Sequence, residues 1–277
     1  VRIHLGGSSR QSLVIARGAF DAAVKGVDAA TASEISTHLF FATDVFATNT
    51  SLRRAITDPS REISAKKALI TNLFGAKIGA KATLLISEVA ALRWSATKDV
   101  LYVLEQLAIE AEATAANING ELDRVEDELF SVSNQLVTSY DVRSALVGGA
   151  SAQIKAQLVT ELLSKSASPS TVKLVRALVS QRRGRSLEAA FADYLFGLAN
   201  RRNRLIAVVR TAAPITDAQR VRLAGAIEKQ VGQPIRVNIQ VDPTIIGGIS
   251  INFADELIDA SISNRLAQAG RALAGKN

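Results

Sequence analysis

Cysteine is absent from all 277 residues, which excludes disulfide staples, thiolate metal sites and cysteine nucleophiles together. Histidine is nearly absent too. His4 and His38 are far apart, neither sits at metal-ligand spacing, and His38 lies in an apolar helical run without a GxSxG turn to serve. No stretch of eighteen apolar residues occurs, so no segment is long enough to span a bilayer as a helix. Aromatic residues make up only 5% and are not interleaved with the basic runs, so stacking platforms for single-stranded nucleic acid are missing. Methionine is absent and the first residue is Val, from which we expect a piece of a longer polypeptide. The opening residues lack the apolar core of a signal peptide. These absences point away from an enzyme, and we expect neither cofactor nor metal.

What is present is a globular composition, 48% hydrophobic and 21% charged, with length enough for two or three domains. The net charge of +7 raises the question of nucleic acid. The basic residues gather in QRRGR and NRRNR between 181 and 204, whereas Glu110 to Asp141 is acidic on balance. Such runs suit solvated helix ends or a face for an acidic protein partner. A basic helical nucleic-acid-binding protein is the alternative. Salt-dependent binding to arbitrary RNA or DNA separates it from a protein-binding role.

Apolar periodicity predicts helices almost without interruption to about residue 203. They include 12–25, 35–46, 65–74, 83–92 and 99–111, with Asp58-Pro59 as a turn. Leu122, Val125, Leu129, Val132 and Leu136 form a three-four seam, too short for a coiled coil and suited to a long helix inside a bundle. ALITNLFGAKIG at 68–79 resembles QLVTELLSKSAS at 157–168, and LLISEVAALRWS at 84–95 falls on KLVRALVSQRRG at 173–184. This common order predicts a duplicated helical bundle, 1–96 and 97–203. Beyond it the period changes. Leu205 to Thr211 reads as a strand, Thr216 caps a helix through Val231, and PIRVNIQVD alternates as a second strand. Ile249 to Phe253 and an edge at Glu256 to Ile258 follow, then a last helix. The expected fold is mainly α, with two tandem helical bundles and a small β-α-β-β-β-α domain over 204–277.

Gly247 and Gly248 lie between strands, with no GK[ST] and no following helix, so they serve a bulge or tight reversal rather than a phosphate cradle. The whole stretch VDPTIIGGISINFADELIDASISNRL resembles the C-terminal segment of the delta subunit of F-type ATP synthases, the family of the oligomycin-sensitivity-conferring protein. The resemblance rests on Asp242, Pro243, Ile245, Ile246, Gly247, Gly248, Asp259, Ser261 and Leu266. Ala260 departs from it where the family favours Gly, and Ala254 is a second departure. The preceding strand-helix-strand resembles the family as well, and 97–203 resembles its N-terminal helical domain, leaving 1–96 as an extra copy. An extra copy ahead of delta is similar to the fused b-delta polypeptides of some actinobacteria, in which a membrane-anchored b-type helix precedes it; the sequence leaves open whether such a segment precedes Val1.

The resemblance implies a non-catalytic stator subunit on the cytoplasmic face of the bacterial plasma membrane. Its implied partners are the alpha subunits of the catalytic head, with beta as a further contact, and b-type stalk helices. Neither nucleic acid nor a membrane span belongs to that role. It also implies a groove for the N-terminal helix of an alpha subunit between the first and fifth helices of the second bundle. Leu101, Leu104, Leu174 and Leu178 are the candidate lining, with plain core as the other reading.

Overall fold

A computed structural model describes residues 5–201, 205–231, 235–242, 249–253 and 256–259. The chain divides into two compact units, Val1–Leu198 and Ala199–Asn277, and the described architecture is mainly α.

The first unit opens with α1 (Gly7–Val24), which buries Ser12, Ala16, Phe20 and Val24 at helical spacing. Gly26, at φ +70°, turns the chain out of it. Asp28 then caps α2 (Ala29–Thr48) by accepting from the Thr31 N–H at 2.8 Å. The expected turn region after α2 instead holds a further helix, α3 (Thr50–Thr57). Its Arg53 is buried and donates to the Phe46 carbonyl at 2.8 Å, covering a free carbonyl at the α2 C-terminus. The Asp58-Pro59 turn follows, with the Ser60 N–H held by Asp58 Oδ1 at 2.9 Å. Next come α4 (Ile63–Phe74), α5 (Ala80–Ala91) and α6 (Asp99–Ile118). After these stand α7 (Leu122–Thr138), α8 (Tyr140–Val147), α9 (Ala152–Leu163), α10 (Pro169–Ser180) and α11 (Leu187–Arg201). Leu122, Val125, Leu129 and Val132 are all buried, as a bundle seam requires. The Leu136 side chain lies outside the described residues.

Helix α6 is the axis of this unit. Every residue from Asp99 to Ala116 is buried. It packs along its length on α2, and also on α1, α5, α7 and α10. The expected boundary between 96 and 97 is therefore not a boundary of packing, because the helix that opens the second expected bundle also fills the core of the first. Helix α11 approaches it closely at Gly197, where an added Cβ would stand 2.7 Å from Ile109 Cγ2 and 3.3 Å from Gln106 Oε1. Gly to Ala in a free helix gains roughly 1 kcal/mol. Here overpacking reverses the sign, and Gly197→Ala is expected to destabilise by about 1–3 kcal/mol in chemical denaturation. A gain in stability would show that α6 and α11 can part at no cost.

In the second unit β1 (Leu205–Thr211), α12 (Asp217–Val231) and β2 (Ile235–Val241) form a parallel crossover, followed by β3 (Ile249–Phe253) and β4 (Glu256–Asp259). The sheet order is β2-β1-β3-β4, with β3 antiparallel to both neighbours and β4 at the edge. Thr216 caps α12 as expected: its hydroxyl accepts from the Gln219 N–H at 3.3 Å, while Gln219 Oε1 accepts from the Thr216 N–H at 2.8 Å. Val209, Ile227, Val237 and Ile251 make the core. The strict alternation expected of β2 is broken at Asn238, which is buried, and Val241, which is exposed. The expected last helix lies outside the described residues.

Candidate functional site

The four leucines proposed from the sequence are brought to one place but are not open to a partner. Leu101 and Leu104 stand on α6, Leu174 and Leu178 on α10, and these helices pack together. All four are buried within the chain itself, three of them at 0% exposure. Helix α2 lies along α6 and is tied to α10 by hydrogen bonds at one end. Glu112 of α6 accepts from Ser33 Oγ of α2 at 3.0 Å, and from Ser170 Oγ at 2.7 Å and Lys173 Nζ at 2.9 Å of α10. Lys173 Nζ also donates to the Ser33 carbonyl at 3.0 Å and to its hydroxyl. Beyond this contact α2 and α10 diverge around a cavity of about 670 Å³, whose lining includes Thr37, Phe40, Asp44, Val172, Lys173 and Arg176.

At the other end of the seam the basic run QRRGR turns inward. Arg183, at φ +52°, and Gly184, at φ +78°, reverse the loop after α10. The Arg183 guanidinium meets Glu105 of α6, and Asp44 of α2 at 3.3 Å. Arg185 forks onto both Glu105 oxygens at 2.8 Å, and onto Asp193 of α11 at 2.8 Å. The Tyr194 hydroxyl donates to Glu105 at 3.1 Å, and its ring stacks on Phe40 at 6.2 Å. Burial weighs against the Arg185 charge, yet Glu105 and Asp193 hold its pKa above the ordinary range. Burial raises the Tyr194 phenol well above its usual value, and the adjacent Glu105 charge adds to this. Two of the cations in the basic run at 181–185 are thus internal clamps joining α2, α6 and α11. Arg182 donates to the Val147 carbonyl at 3.2 Å. The signal that sequence reading missed is Glu105 itself, a carboxylate in the middle of an apolar helix, where burial demands a cationic partner.

In the C-terminal motif, the Asp242 N–H donates to the Thr211 carbonyl at 2.8 Å, and Asp259 ends β4 opposite Ser250. Pro243, Gly247, Gly248 and Ser261 lie outside the described residues. Among the described residues no group of three or more His, Asp and Glu is placed to hold a metal. No described helix is long and apolar enough to cross a membrane. His38 accepts from the Gly79 N–H at 3.3 Å, an ordinary contact between α2 and the start of α5.

Residues 109–273 match the sequence pattern of the family described as ATP synthase delta (OSCP) subunit. A protein called ATP synthase subunit delta from Streptomyces coelicolor is 38% identical over 269 residues, covering 97% of this chain and 98% of its own length. Its namesake from Kineococcus radiotolerans is 38% identical over 272 residues, with 97% and 98% covered. The chain belongs to the ATP synthase delta (OSCP) family. It is a non-catalytic subunit of F-type ATP synthase, with the stator role of that family. The delta relative from Frankia alni is 35% identical over 276 residues and is matched over 99% of its length. The helices before α6 lie outside the family pattern, yet these actinobacterial delta subunits share them. A chain of the Toxoplasma gondii mitochondrial ATP synthase hexamer is 19% identical at a TM-score of 0.36 over 61% of this chain, too slight a likeness to bear on the fold.

Proposed function

We propose that this delta subunit couples head to stalk by gripping helices. Its helical unit holds the N-terminal helix of an alpha subunit, with beta as a neighbouring contact. The C-terminal unit meets the b-type stalk at the cytoplasmic face of the bacterial plasma membrane. The observation that carries this is α6, buried from Asp99 to Ala116, which packs a whole helix, α2, along its length, with Ser33 of α2 hydrogen-bonded to Glu112 and Lys173. A stator must resist torque without turnover, so packed seams and desolvated clamps are what the task requires. Binding at nanomolar strength needs about 12 kcal/mol, which a short amphipathic helix supplies when its i, i+4, i+7 face is fully buried.

The test is reconstitution. Membranes stripped of this chain are expected to keep the ATP hydrolysis of the head while proton-driven synthesis falls to background, and the purified chain should restore synthesis. Synthesis that persists in its absence would sink the coupling role.

A further inference from the structure

The helical unit repeats one plan, and its two copies differ in one charge. Helices α3, α4 and α5 have 8, 12 and 12 residues, and so have α8, α9 and α10. Lys66 stands fourth in α4 and Lys155 fourth in α9, while Arg93 and Arg182 each lie two residues past the end of α5 and α10. Burial pushes both ammonium groups below the usual lysine range, and Arg93 beside Lys66 and Arg182 beside Lys155 push the same way. Each copy thus brings a lysine and an arginine to one corner. In the first copy an acid is built in, because the residue that follows α3 is Asp58, whose charge works in favour of the Lys66 ammonium. The residue that follows α8 is Gly148. Among the described residues neither Lys155 nor Arg182 meets a carboxylate, and Arg182 donates instead to the Val147 carbonyl.

At this second corner the surface is concave. A cavity of about 380 Å³ is lined by Lys155 of α9, Val179 and Ser180 of α10 and the turn 181–185. The Ser180 hydroxyl donates to the Ala152 carbonyl at 3.4 Å, which sets the end of α10 beside the start of α9 and brings Lys155 to the turn. The Arg185 N–H closes that turn on the Arg182 carbonyl at 3.0 Å, over the positive φ angles of Arg183 and Gly184. Four cations therefore line the cavity, and its lining holds no acid and no aromatic ring. Arg183 and Arg185 are answered from inside by Glu105, Asp44 and Asp193, although the buried Nε–H of Arg183 has no acceptor. Lys155 and Arg182 are not answered.

We propose that this cavity binds a small diphosphate anion, held by Lys155 and Arg182 with Arg183 and Arg185 behind them. Two cations side by side without an acid repel one another, and an anion of two or more charges between them removes the repulsion and supplies the missing acceptors. The guanidinium fork matches two phosphate oxygens at once, and the ammonium serves as a point charge. The cavity lies in the range of small-molecule sites, about 300–1,000 Å³, and a concave wall of that size suits a compact anion better than the flat face of an acidic protein. Without a ring to stack on, a nucleobase gains nothing there, so the phosphates are what is read. The first copy has its own acid in Asp58 and needs no ligand. This site is independent of how the subunit couples head to stalk.

The experiment is isothermal titration of the full chain with pyrophosphate at constant ionic strength, with ADP and adenosine alongside. Pyrophosphate and ADP are expected to bind within about threefold of each other, and adenosine not at all. Lys155→Gln and Arg182→Gln should each weaken pyrophosphate by about tenfold or more, the size of a lost charge-assisted contact. Neither residue meets an acid, so both variants should melt with the unaltered chain when no ligand is present. Lys165→Gln, at an exposed residue just past the other end of α9, removes the same charge and should leave affinity as it was. An unaltered chain that fails to bind pyrophosphate overturns the proposal. So does pyrophosphate binding that Lys155→Gln and Arg182→Gln weaken no more than Lys165→Gln does, which would mean general charge attraction. ADP binding without pyrophosphate binding overturns the diphosphate as the group recognised.

Discussion

Glu105→Ala is expected to lower the stability of the helical unit by about 3–5 kcal/mol, because two guanidinium groups that folding has removed from water lose their shared carboxylate and keep only Asp193 and Asp44. Glu105 is 1% exposed, and the side chains of Arg183 and Arg185 are 14% and 9% exposed. The variant also removes the acceptor of the buried Tyr194 hydroxyl. Glu105→Gln keeps an acceptor for that hydroxyl but not the charge, and should fall between. Replacing Arg185 by Leu together with Glu105→Leu should not recover the loss, because buried Asp193 then loses its cation and Arg183 keeps only Asp44. Urea denaturation followed by circular dichroism measures all of these, read on the transition of the helical unit. A loss under about 0.5 kcal/mol for Glu105→Ala, the size of a surface substitution, would mean that water reaches this clamp.

That clamp also marks where the sequence was legible and where it was not. The C-terminal elements could be read because their signals are local: Thr216 and Gln219 make a capping box three residues apart, and β2 alternates over most of its length. The α7 seam could be read for the same reason. Helix α6 was expected to end near Ala111 but runs to Ile118. Glu110 and Glu112 interrupt the apolar period, so in sequence they look like the start of a solvated stretch. In the fold both are buried, Glu110 against Arg17 at 2.7 Å and Glu112 against Lys173 at 2.9 Å. Partners 93 and 61 residues away cannot be seen in a window of one helix. The burial of the four proposed leucines was illegible for a related reason. Nothing in the local pattern of α6 (Asp99–Ile118) says that α2 (Ala29–Thr48), far earlier in the chain, lies across it. The basic run at 181–185 looked like surface because its acids sit on three other helices.

The two readings of Leu104, groove lining and core, diverge most sharply under substitution by a charge. A carboxylate on a solvated groove would weaken a partner and leave the fold alone. Leu104 and Leu178 are at 0% exposure on α6 and α10, which pack together, so Leu104→Asp and Leu178→Asp each put an unpaired charge into the core. Each is expected to cost more than about 4 kcal/mol, combining the lost apolar burial with the price of a desolvated carboxylate. On a domain of ordinary stability, about 5–15 kcal/mol, that brings the helical unit close to unfolding at 37 °C. Thermal melting by circular dichroism, alongside exposed Ile15→Asp as the contrast, makes the comparison. Ile15→Asp should melt with the unaltered chain, while the two core variants melt far below it or are recovered without cooperative structure. If Leu104→Asp instead folds at native stability, water must reach the α6 face that α2 covers. That would require α2 to lift from α6, the helix it packs along.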